Sequence, residues 1–598
     1  MTEPSLYSSP HIVEARRLTG PHREGSDEAA TVQVALDTRA YPRASDAIAA
    51  WDRHARRLMS MVGVRGHITG SGGHTVSLSA DGQQGTSVRY ASITATAPVD
   101  ALMAMTELLE SAWVLAEREV LDGVTPDVDV AVAHVCAVAA TEAAPAFAAA
   151  HAEAVARRVI TTFDDESLSI GAGQHSRTWL RHEVPPVAEI PWDTLRNIPV
   201  ALITGSNGKT TVTRWLARML REAGHVAGMS TTDGLFVDDV LLDAGDYSGP
   251  QGARTILRDP RVTAAALETA RGGILRRGLA VHHADAACVT NLSMDHFVEY
   301  GIVSEHHLAR AKLTVAHAVR ASGTLVVSAD DPVLRSMAPL AAPRIGWVTL
   351  DGNDAFVTAH TREGGDAALL LDDVLLLHHA RRWHELVEVR DVPLAADGAA
   401  RHNVANALFA ATLAAHLGVS IDAIQRGLRA FGISPGDTAG RFVRMAVGGA
   451  TVVVDFAHNP AAVEALIAAT AAMPAARRAI AIGTGGNRED EAIRLMARTV
   501  TTSGQFDRIV AKDVPRYRRG RAEGEMPAMM IDELRQAGVP ADRLEIAMDD
   551  RAAADMLLRW LRPGDLVLLT VHSDREAILA RLTSLAASGW QAGTALPE

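Results

Sequence analysis

The stretch ALITGSNGKTTVTRWLARML, residues 201–220, places the strongest constraint on the fold. Residues 199–203 form a short apolar run typical of a buried strand, and residues 209–221 have the apolar spacing of a helix. Backbone N–H groups in the turn between them, together with the dipole of the helix, favour an anion at this point. The Lys209 ammonium can reach terminal phosphates, and the Thr210 hydroxyl can ligate Mg²⁺. The stretch therefore predicts a nucleoside triphosphate site.

Small residues fill the predicted turn. In this stretch the residues that we expect to bind the nucleotide are Gly205, Ser206, Asn207, Gly208, Lys209, Thr210 and Thr211. The turn departs from the strict pattern G-x-x-x-x-G-K-[ST], because the position five residues before Gly208 is Ile203. The alternative interpretation is a glycine-rich turn that joins a strand to a helix without binding phosphate.

Strands and helices alternate along most of the chain, which indicates an α/β protein. From 196 to 435, apolar runs such as PVALITG, VTAAALE and GTLVVSADDP lie next to helix-like segments, and we predict a largely parallel sheet covered by helices. Residues 436–598 show the same alternation of strands and helices, which predicts a smaller, Rossmann-like α/β domain. Residues 1–160 mix strand-like and Ala-rich helical segments, which predicts an α+β domain. Residues 161–195 carry glycines and paired prolines with little periodicity, so we predict a linker there.

Composition excludes several classes of protein. The formal net charge of −13 offers no basic surface for nucleic acid. No stretch approaches the ~20 uninterrupted apolar residues that span a bilayer, and the first residues do not resemble a secretory signal. The two cysteines, Cys136 and Cys288, lie far apart and lack metal-ligand spacing, which argues against a disulfide scaffold or a zinc site. We therefore expect a soluble cytoplasmic protein whose partners are small molecules.

A nucleotide site needs metal ligands, and in a parallel sheet these lie just beyond the carboxyl ends of the strands. Glu268 follows the run VTAAAL, and Asn291, Asp295 and His296 follow the run ADAACVT. Glu268 and Thr210 would form an oxygen site for one Mg²⁺, and His296 would serve a second metal. The alternatives are a solvated loop carboxylate for Glu268 and a helix-capping or core histidine for His296. Their place at one edge of one predicted sheet favours the metal-binding interpretation.

The order of several motifs resembles that of the Mur ligases, the ATP-dependent amide-forming enzymes of peptidoglycan synthesis. These motifs are TGSNGKTT, NLSMDH, ARAKLTV, RHNVANALFAA and DFAHNP. Within that superfamily the chain is most similar to the Mur-like part of cyanophycin synthetases, through segments such as STTDGLFVDD, GDYSGPQGARTILRDPRV and GTGGNREDEAIR. The resemblance covers residues 196–590.

The chain also departs from the cyanophycin synthetase pattern. In that family an ATP-grasp domain that adds aspartate precedes the Mur-like domain, which adds arginine to the aspartate side chain. The segment SLSIGAGQHSRTWLR resembles the entry into ATP-grasp, yet the Mur-like block follows too soon for such a domain to fit. We interpret residues 1–160 as a diverged form of the amino-terminal domain of the family.

The resemblance implies an ATP-dependent acid–amino-acid ligase that releases ADP and phosphate. A carboxylate oxygen attacks the γ-phosphate of ATP to give an acyl phosphate, and an amine then attacks the carbonyl carbon. Such catalysis rests on positioning and on charge neutralisation, so it requires no nucleophilic side chain.

The resemblance also assigns catalytic and metal-binding roles. Lys209 and the turn hold the β- and γ-phosphates, Thr210 and Glu268 hold the first of two Mg²⁺ ions, and His296 holds the second. Lys312, in ARAKLTV, takes the position of a lysine that CO₂ carbamylates in many Mur ligases, and the resulting anionic group orients Mg²⁺ or its waters. An ordinary helix lysine in an ion pair is the alternative.

Other positions match contacts to nucleotide or substrate. Asn406 matches an adenine contact, whereas Asn403 of the same helix suits a helix cap. Arg441 belongs to the catalytic set, since it reaches the phosphates when the carboxy-terminal domain closes, and Asp455 matches a ribose contact. His458, Asn459 and Arg488 are the substrate-facing set, and a solvated face is the alternative for the arginines of YRRGRAEGE.

Three interpretations of the whole chain follow. The first is a stand-alone ligase that joins an amino acid or peptide to a carboxylate, with a polymer, dipeptide or small metabolite as product. The second is a Mur-like subunit that pairs with a separate ATP-grasp ligase. The third is a nucleotide-dependent regulator, which DFAHNP and GGNRED disfavour. A homo-oligomer is left open by the sequence.

Overall fold

The computed structural model describes residues 9–78, 86–293, 302, 304–438, 440–486 and 488–597. Four sheets organise these residues: two small antiparallel sheets near the amino terminus, one large central sheet and a six-stranded carboxy-terminal sheet. Asp295 and His296 lie outside the described residues.

The amino-terminal region is an antiparallel sheet covered by helices, as predicted for an α+β domain. The strand order is β1-β2-β4-β3. Trp51 of α1 and Trp113 of α2 pack edge to face in the core, with ring centroids 5.4 Å apart. The elements are β1 (Ile12–Leu18), β2 (Ala29–Asp37), α1 (Ala44–Val62), β3 (Ile68–Leu78), β4 (Thr86–Thr96), α2 (Leu102–Val120), α3 (Val128–Glu142) and α4 (Pro145–Ala156).

Residues 161–195, for which we predict a linker, contain a small antiparallel sheet. Its strands are β5 (Thr161–Phe163), β6 (Ser167–Ile170) and β7 (Arg177–Leu180). Asp164 closes the first turn, since its Oδ1 accepts hydrogen bonds from Ser167 N at 2.8 Å and from Ser167 Oγ at 2.9 Å. Its Oδ2 accepts a bond from Arg258 at 2.7 Å, which ties the sheet to the central domain. Strands of three and four residues are too short to show alternation, so the sequence pattern did not reveal them.

The central domain contains the large parallel sheet that the sequence predicts. Its strand order is β11-β10-β9-β12-β8-β13-β14-β15-β16-β17-β18. The seven strands from β9 to β16 in this order pair in parallel, and antiparallel strands extend both sides. Ala201 and Ile203 of β8 pack in the same core cluster as α5 and α11, whereas Val200 and Leu202 pack in the cluster that contains α6. Alternate residues of one strand therefore support helices on opposite faces.

The first half of the central domain contains β8 (Val200–Thr204), α5 (Lys209–Glu222), β9 (Ala227–Thr231), β10 (Gly234–Val237), β11 (Val240–Ala244), α6 (Pro250–Arg258), β12 (Ala264–Glu268), α7 (Arg271–Arg277), β13 (Ala284–Val289) and α8 (Glu305–Leu313). The second half contains β14 (Val319–Ser328), α9 (Pro332–Ala341), β15 (Ile345–Thr349), α10 (Ala355–Arg362), β16 (Asp366–Leu371), β17 (Val374–His379), β18 (Arg382–Glu388), α11 (Arg401–His416), α12 (Ile421–Ala430) and α13 (Pro435–Thr438).

The carboxy-terminal domain is a second α/β sheet, in the order β19-β20-β24-β21-β22-β23, in which only β19 is antiparallel to its neighbour. Its elements are β19 (Val443–Val447), β20 (Ala450–Asp455), α14 (Pro460–Thr470), β21 (Arg478–Ile482), α15 (Asp490–Ser503), β22 (Arg508–Lys512), α16 (Glu525–Gln536), β23 (Leu544–Ala547), α17 (Asp550–Trp560), β24 (Leu566–Thr570) and α18 (Arg575–Ala587).

Membrane-spanning potential is confined to one bent pair of helices. Among the described residues, no single helix has both the length and the apolar composition to cross a bilayer, and α3 and α4 meet these criteria only when the two are taken together, with a bend of 74° between them.

Candidate active site

A cleft of about 640 Å³ opens between the central and carboxy-terminal domains, at the carboxyl ends of the central parallel strands. The central domain contributes the turn after β8, the end of β12 and the start of α11. The carboxy-terminal domain contributes the start of β19 and the loops after β20 and β21. The cleft gathers most of the predicted site residues: Ser206, Asn207, Gly208, Lys209, Thr210, Thr211, Glu268, Asn406, Arg441, Asp455, His458 and Arg488.

Two glycines allow the turn after β8 to form. Gly205 has φ +149°, and a Cβ there would overlap the hydroxyl of Thr290 on the neighbouring loop. Gly208 has φ +84°, and a Cβ there would overlap the side-chain amide of Asn406 on α11. Only glycine combines these backbone angles with such close approaches. The Gly208 position therefore brings α11 directly against the turn.

The loop after β13 holds the turn in place. Asn291 Oδ1 accepts a hydrogen bond from Asn207 N at 3.0 Å, and Asn291 Nδ2 donates to Asn207 O at 3.1 Å. Thr290 Oγ1 donates to the same carbonyl at 2.6 Å. These bonds fix the peptide groups next to Gly208, so the N–H groups at the start of α5 keep one orientation toward the cleft.

Lys209, Thr210 and Glu268 come together as the sequence predicts. Lys209 Nζ donates to Ser206 O at 3.0 Å, which folds the ammonium over the turn. Thr210 Oγ1 donates to Glu268 Oε2 at 2.8 Å, and both side chains are buried. A hydroxyl and a carboxylate at this separation suit a hard divalent cation such as Mg²⁺. The donor set fits the predicted first metal site.

Thr232 secures the carboxylate of Glu268 from the opposite side. Its backbone N donates to Glu268 Oε2 at 3.1 Å, and its Oγ1 donates to Glu268 Oε1 at 2.8 Å. Both carboxylate oxygens are therefore bonded although Glu268 is only 1% exposed. Thr232 was not among the residues predicted from the sequence.

The next residue, Asp233, joins the two domains. Its carboxylate accepts hydrogen bonds from Arg441 at 2.5 Å and from Arg575, both of the carboxy-terminal domain, and Arg214 of α5 lies 3.7 Å away. Burial alone would raise the pKa of Asp233, but the guanidiniums of Arg441 and Arg575 bring it down to about 2. Asp233 is therefore ionised at neutral pH. Charge-assisted bonds of this kind are the strongest that side chains form.

Arg441 reaches the predicted metal site as well as Asp233. Its second terminal nitrogen donates to Thr210 Oγ1 at 3.2 Å. The guanidiniums of Arg441 and Arg575 lie 5.1 Å and 4.9 Å from the centre of the Phe456 ring. Arg441 therefore brings a positive charge to the lining of the cleft, and Arg575 adds a second one behind it, on the other side of the Asp233 carboxylate. Arg575 is a second residue that the sequence reasoning missed.

Asp455 ends β20 and lines the cleft. Burial raises the pKa of its carboxyl to about 6, against hydrogen bonds from Phe442 N and Ala457 N, each at 2.7 Å. These bonds fix the positions of the start of β19 and of the AHNP loop relative to the end of β20. The ribose contact assigned to Asp455 stays a prediction.

The substrate-facing set occupies the carboxy-terminal wall. Asn459 is buried, caps α14 through the bond from Ala462 N at 2.9 Å, and donates from Nδ2 to Asn207 Oδ1 at 2.8 Å. It therefore contacts the phosphate turn itself. His458 and Arg488 line the cleft, and Thr484 Oγ1 donates to His458 O at 3.1 Å.

Asn406 sits where the turn meets α11. Its Nδ2 donates to Asn403 Oδ1 at 3.2 Å, and Asn403 Nδ2 donates to Leu394 O at 3.1 Å. Asn403 therefore supports Asn406 and does not cap the helix, since Ala400 is the N-cap residue. His402 also lines the cleft, and burial lowers the pKa of its imidazole to about 4.

Lys312 is buried on α8, with 4% of its surface exposed. It is not among the described residues that line the cleft. Its proximity to a metal therefore stays a prediction, as does the role of His296, which is outside the described residues.

A buried ionic cluster supports the AHNP loop from below. Lys512 Nζ donates to Asp550 Oδ1 at 2.5 Å and lies 2.8 Å from His572 Nδ1. His572 Nε2 lies 3.1 Å from Ala457 O. Burial first, and then the neighbouring Lys512 charge, lower the pKa of His572 well below its usual value. The neutral ring thus accepts from Lys512 and donates to the loop carbonyl.

A second cleft, of about 560 Å³, lies between the amino-terminal and central domains. It shares Asp246, Ser248 and Ala270 with the first cleft, so the two are continuous. Five arginines line it: Arg17, Arg181, Arg254, Arg276 and Arg277. Four acidic residues line it as well, namely Glu142, Asp164, Asp165 and Asp246, and Arg17 pairs with Asp165.

Family models match both of the domains that form the first cleft. The Mur ligase middle domain matches residues 203–414, and the Mur ligase glutamate ligase domain matches residues 440–571. These matches cover more than half of the 598 residues. The chain belongs to the Mur ligase family.

Curated relatives include cyanophycin synthetases. The protein of that name from Crocosphaera subtropica is 34% identical over 67% of this chain and 45% of its own length, and that from Trichormus variabilis is 35% identical over 64% and 42%. The chain thus spans less than half the length of these relatives. The UDP-N-acetylmuramoyl-L-alanyl-D-glutamate–2,6-diaminopimelate ligase of Corynebacterium glutamicum is 28% identical over 72% of this chain and 81% of its own length.

Solved structures similar to this chain include MurF from Acinetobacter baumannii. Its TM-score is 0.45 and its sequence identity is 19%, over 65% of this chain and 77% of that chain.

The phosphate turn is tested by Gly208→Ala. We expect nucleotide affinity to fall at least about tenfold, because the added methyl would strain a left-handed backbone and displace Asn406. Gly224→Ala is the matched control, since its φ of +89° is similar but nothing lies within 4 Å of the added methyl. Titration calorimetry with ATP and Mg²⁺ measures both. Equal affinities in the two variants would contradict this account of the turn.

The contact between the domains is tested by Asp233→Asn. Removing this charge leaves Arg441 and Arg575 without their shared anion, so we expect more open domains and at least about tenfold slower ADP release. Asp239→Asn is the control, because its side chain is 81% exposed and its ion pair within the described residues is with Arg221. Small-angle scattering and an ADP assay are the measurements. A variant that matches wild type in both would refute the role of Asp233.

Proposed function

We propose that this protein joins an amine of an amino acid or peptide to a carboxylate, at the expense of ATP. The observation that carries the proposal is the Thr210–Glu268 oxygen pair beside Lys209 on one wall of the cleft, opposite Arg441 on the other. Lysine, metal-ligand oxygens and an arginine are groups that stabilise the charge of a phosphoryl group in transfer to a carboxylate.

The chemistry proceeds in two steps. A carboxylate oxygen attacks the γ-phosphorus and ADP leaves, which gives an acyl phosphate. The amine then attacks the carbonyl carbon, the C–O bond to phosphate breaks, and the amine loses a proton as the amide forms. The products are the amide, ADP and inorganic phosphate.

The central and carboxy-terminal walls of the cleft have different roles in the proposed reaction. The turn and Lys209 hold the β- and γ-phosphates, and Thr210 with Glu268 holds one Mg²⁺, which neutralises phosphate charge. His296 is assigned to a second ion, and Lys312 to a carbamate that orients it. Arg441 closes on the phosphates from the carboxy-terminal side, Asn406 contacts adenine and Asp455 contacts ribose. His458 and Arg488 face the substrates.

The carboxylate substrate is proposed to occupy the arginine-lined cleft. Three shared residues connect this cleft with the first one, in which we propose that the γ-phosphate lies. Arg254 donates to Thr19 Oγ1 at 3.5 Å and forms no ion pair among the described residues. Burial lowers its pKa, as do the charges of Arg258 and Arg277, whereas the carboxylates of Asp164 and Asp165 raise it. An anionic substrate would add a further favourable charge beside this buried guanidinium.

The reaction is tested by ADP release with Mg²⁺ and ATP across a panel of amino acids and β-aspartyl acceptors. We expect turnover that requires both an amine and a carboxylate and that disappears in Lys209→Ala, since the lysine holds the transferring phosphate. Mass spectrometry identifies the amide. ADP release that needs neither substrate, or that survives in Lys209→Ala, would contradict the proposal.

The carboxylate site is tested by Arg254→Gln. We expect KM for the carboxylate to rise about tenfold or more, with KM for ATP unchanged, because one charge-assisted contact is lost. Arg261→Gln is the control, since Arg261 is about half exposed, pairs with Asp259 and lies outside both clefts. Steady-state kinetics separate the two constants. An unchanged carboxylate KM would place the substrate elsewhere.

A further inference from the structure

Two histidines and an aspartate meet on the side of the central sheet away from the nucleotide cleft. Asp366 is the first residue of β16, His379 is the last residue of the antiparallel strand β17, and His416 is the last residue of α11. Asn406 lies near the other end of α11, about 15 Å away at 1.5 Å per residue. The cluster is therefore separate from the site described above.

The three side chains are spaced like the ligands of one small cation. Asp366 Oδ1 lies 3.3 Å from His379 Nδ1, and Asp366 Oδ2 lies 3.7 Å from His416 Nε2. One ligand atom from each residue falls within 4.8 Å of the others. Tetrahedral bonds of about 2.0–2.1 Å separate neighbouring ligand atoms by roughly 3.4 Å, so a zinc ion requires only small adjustments.

Two of the ring nitrogens lack a well-formed hydrogen bond. His379 Nδ1 and His416 Nε2 are buried, and within the part of the chain that the structure describes each faces only an oxygen of Asp366, at 3.3 Å and 3.7 Å, without good hydrogen-bond geometry. The side chain of His416 is 8% exposed, and its Nε2 points toward Asp366. Buried polar atoms without partners are rare and call for a ligand or another explanation. A metal ion would satisfy both nitrogens at once.

The protonation of His416 suits coordination. Burial lowers the pKa of its imidazole to about 4; the Asp366 carboxylate opposes this shift, and His379 and Arg344 add smaller contributions in the same direction as burial. The ring is therefore neutral at pH 7, and its nitrogen lone pair is available to a metal.

Arg344 is the cation that competes for this position. Its guanidinium lies 3.8 Å from Asp366 Oδ2, and its side chain is 52% exposed. A long, half-exposed pair of this kind contributes little stability, so the arginine can move into solvent when a cation binds.

We propose that Asp366, His379 and His416 bind one Zn²⁺ per chain. Two imidazoles and one carboxylate suit Zn²⁺ better than Mg²⁺ or Ca²⁺, which prefer oxygen ligands. A water completes the coordination on the side of His379, whose side chain is 28% exposed. The ion links the edge of the sheet to the end of α11, so its effect is on stability. The reaction does not require it.

The test uses the full chain after chelator treatment, with Zn²⁺ and Co²⁺ as probes. We expect one equivalent of Zn²⁺ to raise Tm, whereas Mg²⁺ binding at this cluster should not raise it. Co²⁺ should give the visible absorption bands of a four-coordinate site. His379→Gln and His416→Gln should each weaken Zn²⁺ binding by about tenfold or more. His384→Gln, on the adjacent strand β18 but outside the cluster, should bind as wild type does.

Several outcomes decide the proposal. Equal Zn²⁺ affinity in wild type and in both cluster variants would overturn it, because the bound ion would then lie elsewhere, for example at Thr210 and Glu268. His379→Gln keeps the test valid if His416→Gln unfolds, since His379 is at an exposed strand end. Arg344→Gln should bind Zn²⁺ more tightly because it removes the competing charge. Weaker binding by that variant would contradict an ion beside Asp366.

Discussion

The carboxylate of Asp233 and its neighbour Thr232 link the two halves of the nucleotide cleft. Thr232 holds Glu268, which accepts the hydroxyl bond of Thr210, while Asp233 binds Arg441 and Arg575 across the domain boundary. Two consecutive residues thus connect the proposed metal ligands to the arginines of the other domain. Any displacement of the carboxy-terminal domain must break charge-assisted bonds at the metal site.

This contact between the domains bears on the proposed reaction, because the reaction needs a site that is closed to water. An acyl phosphate is hydrolysed by water unless the site is covered while it exists. Phe456, packed beside both guanidiniums, and Asn459, bonded to the phosphate turn, place the carboxy-terminal domain over the turn. The buried cluster of Lys512, Asp550 and His572 holds the loop that carries these residues. In the proposed reaction, closure would bring the positive charge of these arginines to the phosphates and exclude water in the same movement.

Local sequence patterns predicted much of this arrangement. The strand–turn–helix at residues 200–222 follows from apolar spacing and glycine placement, and Glu268 follows from the rule that ligands lie beyond strand ends. The α/β class and both larger sheets were confirmed, whereas the domain boundaries stay predictions. The same rule applied to β9 and β24 would have pointed to Asp233 and Arg575.

The contacts between residues that are distant in the chain had no local signal. Asp233 is 208 residues from Arg441 and 342 from Arg575, so their meeting depends on how whole domains pack. The short strands β5 to β7 depend on Asp164 and on its contact with Arg258. No periodic pattern in the sequence predicts this contact. The arginine-lined cleft and the cluster around Asp366 likewise combine residues from elements far apart in the chain. Sequence patterns predict which residues lie at the edges of sheets. The packing of whole domains determines which of these edges come together.

The central claim is that a carboxylate is activated as an acyl phosphate in this cleft. The most direct measurement labels both oxygens of the carboxylate substrate with ¹⁸O and determines the mass of the released phosphate. The account predicts one ¹⁸O atom in each phosphate formed and one retained in the amide. Phosphate without ¹⁸O, formed together with amide product, would contradict it.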